Sequence, residues 1–127
     1  MLLDVNCKIL IVDDSRTARD IVRKMLVQLG CKHIEEAVDG TAALSMLEKQ
    51  AYGLIISDWN MEPMNGQTLL ENVRSLRAFK DLPFIIMTAL PTIEKIINAK
   101  NARVTAFINK PFSVQQLRAK IAQISAV

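Results

Sequence analysis

Five short apolar runs, each followed within a few residues by a stretch of helical periodicity, constrain this 127-residue chain more than anything else in it. Lys8-Ile9-Leu10-Ile11-Val12, Leu54-Ile55-Ile56-Ser57 and Pro83-Phe84-Ile85-Ile86-Met87 are continuous, rich in β-branched residues and bounded by turn formers, the pattern of strands buried on both faces. Ala106-Phe107-Ile108-Asn109 is a shorter run of the same kind. His33-Ile34-Glu35-Glu36-Ala37-Val38 is more polar, as a strand at a sheet edge would be.

The intervening stretches read as helices. Ser15 caps the first, whose apolar face is Ala18, Ile21, Val22, Met25, Leu26 and Leu29, and Gly30 stops it. Asp39-Gly40 turns into a second helix, Ala42 to Lys49, through Ala43, Leu44 and Leu47. After a turn-rich loop from Asn60 to Gly66, Leu69, Leu70, Val73 and Leu76 carry a third. Pro91 suits the first turn of a fourth, with Ile93, Ile96 and Ile97 as its apolar positions. Ser113-Val114-Gln115-Gln116 is a capping box for the last, striped by Val114, Leu117, Ile121 and Ile124. Five βα units demand a parallel sheet covered on both faces, a doubly wound α/β fold. We expect one domain over residues 1–127, its core starting near residue 8, with no linker and no output domain.

Bulk properties exclude several classes. Half the residues are hydrophobic and 23% are charged, which is globular rather than disordered. A net charge of +3 without a block of like charges is no footprint of nucleic-acid binding. No apolar run approaches the roughly 20 residues of a membrane span, and Met1-Leu2-Leu3-Asp4 lacks the basic and apolar regions of a signal peptide. A cytoplasmic protein is expected. Cys7 and Cys31, with His33 nearby, make a poor zinc set and read as small, buried or half-buried apolar residues.

In an open parallel sheet, ligands gather beyond the carboxyl ends of the strands. Those ends carry Asp13 and Asp14, Asp58, Thr88 and Lys110. Three carboxylates at close range need a countercharge. Oxygen-only ligands suit Mg2+, while a lysine and a hydroxyl suit a phosphoryl group. Together they are the parts needed to move a phosphoryl group onto a carboxylate, with Asp58 as the acceptor.

Val12-Asp13-Asp14-Ser15, Ser57-Asp58-Trp59-Asn60-Met61, Met87-Thr88-Ala89 and Lys110-Pro111-Phe112 resemble the signature of two-component response-regulator receiver domains, from about Lys8 onward. The resemblance implies a sheet of strand order 2-1-3-4-5 and phosphorylation of Asp58 by a sensor histidine kinase or a small donor such as acetyl phosphate. It implies Mg2+ on Asp14, Asp58 and the Asn60 backbone carbonyl, with Asp13 assisting through water. Lys110 would pair with Asp58 ahead of a cis Lys110–Pro111 bond. Thr88 and Phe107 would act as the switch. The chain is most similar to stand-alone, chemotaxis-type members. That likeness implies a monomer that binds a flagellar motor switch protein through Ile96, Phe107 and Lys120, and that answers to a phosphatase. Such a chain is a signalling switch, catalysing only its own phosphorylation and dephosphorylation, not an enzyme with an external substrate.

Four departures stand out: Pro63 sits one residue later than usual behind Glu62, Asn65 replaces a frequent Asp, Leu90 replaces an acid beside the path of attacking water, and Pro91 follows it. A phosphorelay intermediate, passing its phosphoryl group to a His-containing phosphotransfer protein, is the alternative reading. A flavin carrier is disfavoured because Asp13-Asp14 would repel the FMN phosphate. An aspartyl phosphatase would want its nucleophile on the first strand.

Overall fold

The computed structural model describes residues 6–125. Met1-Leu2-Leu3-Asp4, read above for signal-peptide character, lies outside them. The strands are β1 (Lys8–Val12), β2 (His33–Ala37), β3 (Leu54–Asp58), β4 (Phe84–Thr88) and β5 (Ala106–Asn109). The helices are α1 (Arg16–Gln28), α2 (Gly40–Lys49), α3 (Gly66–Ser75), α4 (Ile93–Asn101) and α5 (Val114–Ser125). All neighbouring strands pair in parallel, in the order β2-β1-β3-β4-β5, as the receiver likeness implied.

Successive strand residues point to opposite faces, so each apolar run feeds two cores. Leu10, Val12, Ile55, Phe84 and Ile86 face α2, α3 and α4, where Leu47, Leu69, Leu70 and Ala99 meet them. Ile9, Ile11, Leu54, Ile56, Ile85 and Met87 face α1 and α5, against Val22, Leu26, Leu117 and Ile121. β3 is buried along its whole length, and the polar β2 takes an edge.

Local signals placed most boundaries. Ser15 Oγ accepts from the Ala18 N–H at 3.2 Å, Asp39 caps α2 in the same way, and Gly30 adopts φ 91° behind α1. Ser113 and Gln116 exchange their capping-box bonds at 2.8 and 3.1 Å.

Four expectations need correction. Pro91 lies outside α4, because Thr92 is the cap, its hydroxyl accepting the Lys95 N–H at 3.1 Å. Ile93 and Ile97 are 78% and 51% exposed, and the buried residue of α4 is Ala99. Periodicity finds a stripe, but it does not say which way the stripe faces, and here the small residue meets the sheet. Ile21 is likewise exposed, lining an apolar cleft with Ala18, Met25, Ala89, Pro111 and Phe112. Leu76 also ends α3 as its C-cap, and a short 3-10 turn, Arg77–Phe79, follows it.

Two polar networks brace the scaffold away from the carboxyl ends of the strands. Buried Arg74 of α3 donates to the carbonyls of Phe79, Leu82 and Arg103 and to Thr105 Oγ1, joining the 3-10 turn to the approaches of β4 and β5. At the other end of β1, Tyr52 Oη donates to Glu35 Oε1 at 2.5 Å, Gln50 bonds both, and Lys8 bonds Gln50. Burial, followed by the Glu35 hydrogen bond, pushes the Tyr52 phenol up to about 12. The folded state therefore holds the proton more tightly than the unfolded chain. The stabilisation is complete below the ordinary tyrosine range, near 10, and is lost as pH rises toward 12. Tyr52 is the only tyrosine, so phenolate absorbance reports it alone. Its midpoint should lie near 12 in the native protein and move down toward 10 in Glu35→Gln. A native midpoint at 10 would contradict this network.

Candidate functional site

The strand ends assemble one cleft. Asp13 follows β1 and is 1% exposed, Asp58 ends β3 at 8%, and Asp14 is exposed beside them. One carboxylate oxygen from each lies within 4.8 Å of the other two. Lys110, just past β5, places Nζ 3.0 Å from Asp58 Oδ1 and 3.3 Å from Asp13 Oδ2. The Lys110–Pro111 peptide is cis, and so is Glu62–Pro63, which the sequence reading did not anticipate.

One ammonium serves two carboxylates, and the titrations reflect that division. Burial drives the Asp58 carboxyl above its ordinary value. Lys110 opposes this only in part, while the charge of Asp13 adds to it. For Lys110, burial lowers the ammonium, but Asp58 and Asp13 together more than reverse that and hold it above its ordinary value. One ammonium faces a cluster of three carboxylates, so net negative charge remains. An all-oxygen donor set with uncompensated charge fits a hard divalent cation, and Asp13, Asp14 and Asp58 are the residues that could hold it.

The remaining strand-end residues sit as follows. Thr88 ends β4, fully buried, its hydroxyl accepting the Leu90 N–H at 3.3 Å. Asn60 lines a cleft of about 340 Å3 with Asp14, Trp59, Met61, Glu62 and Asn65. Asn65, where an Asp is frequent, caps α3 by accepting the Thr68 N–H at 2.9 Å. Leu90 is 69% exposed and brings no acid to the cleft.

Half-buried Phe107 lies with its ring 6.4 Å from that of Trp59. Ile96 on α4 and Lys120 on α5 are half-buried too, on helices that cover opposite faces of the sheet with Phe107 on the edge strand between them. Exposed Leu90, Ile93 and Ile97 extend apolar surface along α4.

Sequence reasoning missed two residues at this site. Lys95 Nζ sits 5.5 Å over the Trp59 ring and donates to the Leu90 carbonyl at 3.2 Å. Arg19 Nη1 donates to the Asp13 carbonyl at 2.7 Å. Neither lies at a strand end, so the strand-end rule carried no signal for them.

A five-stranded parallel sheet of this order, with acids, a hydroxyl and a lysine at its carboxyl ends, defines a receiver-type α/β domain. Residues 9–122 match the response regulator receiver domain, and the chain belongs to that family. It is 43% identical to chemotaxis protein CheY-3 of Vibrio cholerae over 123 residues, which is 97% of this chain and 95% of that protein. The crystal structure of Vibrio cholerae chemotaxis protein CheY4 superposes with a TM-score of 0.88 at 32% identity, covering 94% of this chain and 98% of that one. The receiver domain of a Pseudomonas aeruginosa sensor histidine kinase, solved with a magnesium ion coordinated in its active-site cleft, gives 0.83 at 25% identity over 94% and 98%. The protein is thus a receiver domain of the CheY type. Among the described residues, no helix is long and apolar enough to cross a membrane.

Proposed function

We propose that the protein is a Mg2+-dependent phosphoacceptor switch in chemotaxis signalling, with Asp58 as the acceptor. The observation that carries this reading is Lys110 Nζ held between Asp13 and Asp58 beside a third carboxylate. Asp58 attacks phosphorus as the phosphorus–nitrogen bond of a kinase phosphohistidine breaks, and the imidazole leaves. Acetyl phosphate loses acetate in the same way. Lys110 meets the charge of the incoming phosphoryl oxygens, and the Thr88 hydroxyl donates to one of them.

Asp14, Asp58 and the Asn60 carbonyl would hold Mg2+, with Asp13 assisting through water, and the ion would neutralise the carboxylates and the transferring group. When Thr88 turns to the phosphoryl group, Phe107 moves inward, and the surface formed by α4, β5 and α5 shifts population. Ile96, Phe107 and Lys120 then engage a motor-switch partner. The protein works in the cytoplasm as a monomer, and it catalyses only its own phosphorylation and dephosphorylation.

Trp59 provides the test. It is the only tryptophan, it is buried, and it lines the acidic cleft. Millimolar Mg2+ should change its fluorescence, and acetyl phosphate should change it further only when Mg2+ is present. A folded protein that answers neither addition would overturn the proposal.

A further inference from the structure

Arg19 of α1 is 11% exposed at its side chain and spans two elements. Its Nη1 holds the Asp13 backbone carbonyl at 2.7 Å, and its Nε holds Glu36 Oε1 at 2.8 Å. Glu36 Oε2 takes Arg23 Nε at 2.6 Å, and Arg23 Nη2 holds the Ile34 carbonyl at 3.0 Å. Two arginines one helical turn apart are thus tied to β2 through one carboxylate with charge-assisted bonds.

The two acids after β1 are held in different ways. The Asp13 carboxylate is fixed at both oxygens, by the Ser15 N–H at 2.9 Å and by Lys110 at 3.3 Å. Asp14 is exposed, and among the described residues no hydrogen bond or ion pair reaches its carboxylate. Its direction depends on the peptide plane joining it to Asp13, and the carbonyl of that plane is the one Arg19 grips.

We propose that Arg19 is a positioning residue for the metal: anchored by Glu36, it clamps the Asp13–Asp14 peptide plane and so aims Asp14 into the acidic cluster. This rests on the reading of the cluster as a Mg2+ site. Charge alone acts in the opposite sense. A guanidinium near a cation site repels the cation, so its removal would tighten binding. Loss of a clamp loosens it, and the sign of the change separates the two.

The experiment is a Mg2+ titration followed by Trp59 fluorescence in the wild type, Arg19→Gln and Arg19→Lys, with far-UV circular dichroism to establish folding. The Mg2+ dissociation constant should rise about tenfold in Arg19→Gln, as for other supports behind metal ligands. It should rise less in Arg19→Lys, whose single ammonium cannot span both Asp13 and Glu36. Labelling by acetyl phosphate at saturating Mg2+ should fall by a smaller factor than the Mg2+ affinity does, because the clamp acts first on metal binding. Binding as tight as or tighter than wild type in Arg19→Gln would overturn the clamp. Should Arg19→Gln not fold, Arg19→Lys decides by the same criterion. A folded wild type indifferent to Mg2+ would instead overturn the reading of the cluster as a Mg2+ site.

Discussion

Asp58→Asn is expected to abolish acid-labile phosphate on the protein while leaving the fold intact. The amide is close in size and shape to the carboxylate, so packing at the end of β3 survives, but it is a poor nucleophile and cannot form the acyl phosphate. Labelling with acetyl phosphate and Mg2+, followed by acid and base lability, reads the loss. Acid-labile phosphate persisting at wild-type level would remove Asp58 from its role.

The same substitution has a stability signature. The Asp58 carboxyl titrates above its ordinary value in the fold, chiefly through burial. Its contribution is therefore complete below the unfolded pKa and is lost as pH rises through the folded one, so ionised Asp58 burdens the metal-free protein at neutral pH. With chelator present, Asp58→Asn should be at least as stable as wild type near pH 7. Its advantage should shrink as pH falls through the folded-state titration of Asp58. Thermal melts across that range check the sign, and a growing advantage at low pH would contradict it. A burial penalty of this kind on a reactive carboxylate fits a site shaped for phosphoryl transfer rather than for stability.

The sheet and the cleft were legible for a common reason. Continuous apolar runs become buried strands, and parallel strands bring their carboxyl ends to one side, so Asp13, Asp14, Asp58, Thr88 and Lys110 had to share one edge of the sheet; the strand order that makes them neighbours came from the receiver likeness. Caps were legible at Ser15 and Ser113 because their partners lie only three residues away.

What failed needed knowledge of direction or of distant contacts. Ile21, Ile93 and Ile97 keep helical spacing yet face outward, because spacing carries no sense of orientation. Arg19 meets Glu36 across 17 residues, and Arg74 meets Arg103 across 29. Such pairs exist only after the helices dock. The outward isoleucines of α4 are functionally consistent, since apolar surface left unburied beside β5 is what a partner-binding face requires.

Gly66→Ala should damage both stability and phosphorylation, although Gly66 has no chemistry of its own. It is the first residue of α3, and its N–H donates to the Trp59 carbonyl at 2.8 Å. A Cβ there would lie 2.4 Å from the Asp58 carbonyl oxygen and 3.0 Å from Trp59 Cα. Both obstacles are backbone, so relief requires moving α3 off the end of β3 or moving Asp58 itself. Overpacking of this kind costs about 1–3 kcal/mol. Displacing Asp58 against Lys110, now 3.0 Å away, should slow labelling by about tenfold or more, since misplacement by an ångström costs on that order.

Gly40→Ala is the matched control. Gly40 also opens a helix, α2, behind an aspartate cap, but its Cβ would meet the side chain of Met64 at 2.6 Å from Sδ. A flexible thioether can swing aside, and the loss of a glycine from the unfolded chain offsets the crowding, so that variant should stay within about 1 kcal/mol of wild type. Urea midpoints and labelling rates for the two variants decide the matter. Equal effects would mean that α3 does not rest on the acceptor peptide as the geometry indicates. A selective loss in Gly66→Ala would show that the phosphoacceptor is set in place by the backbone of the helix that follows it.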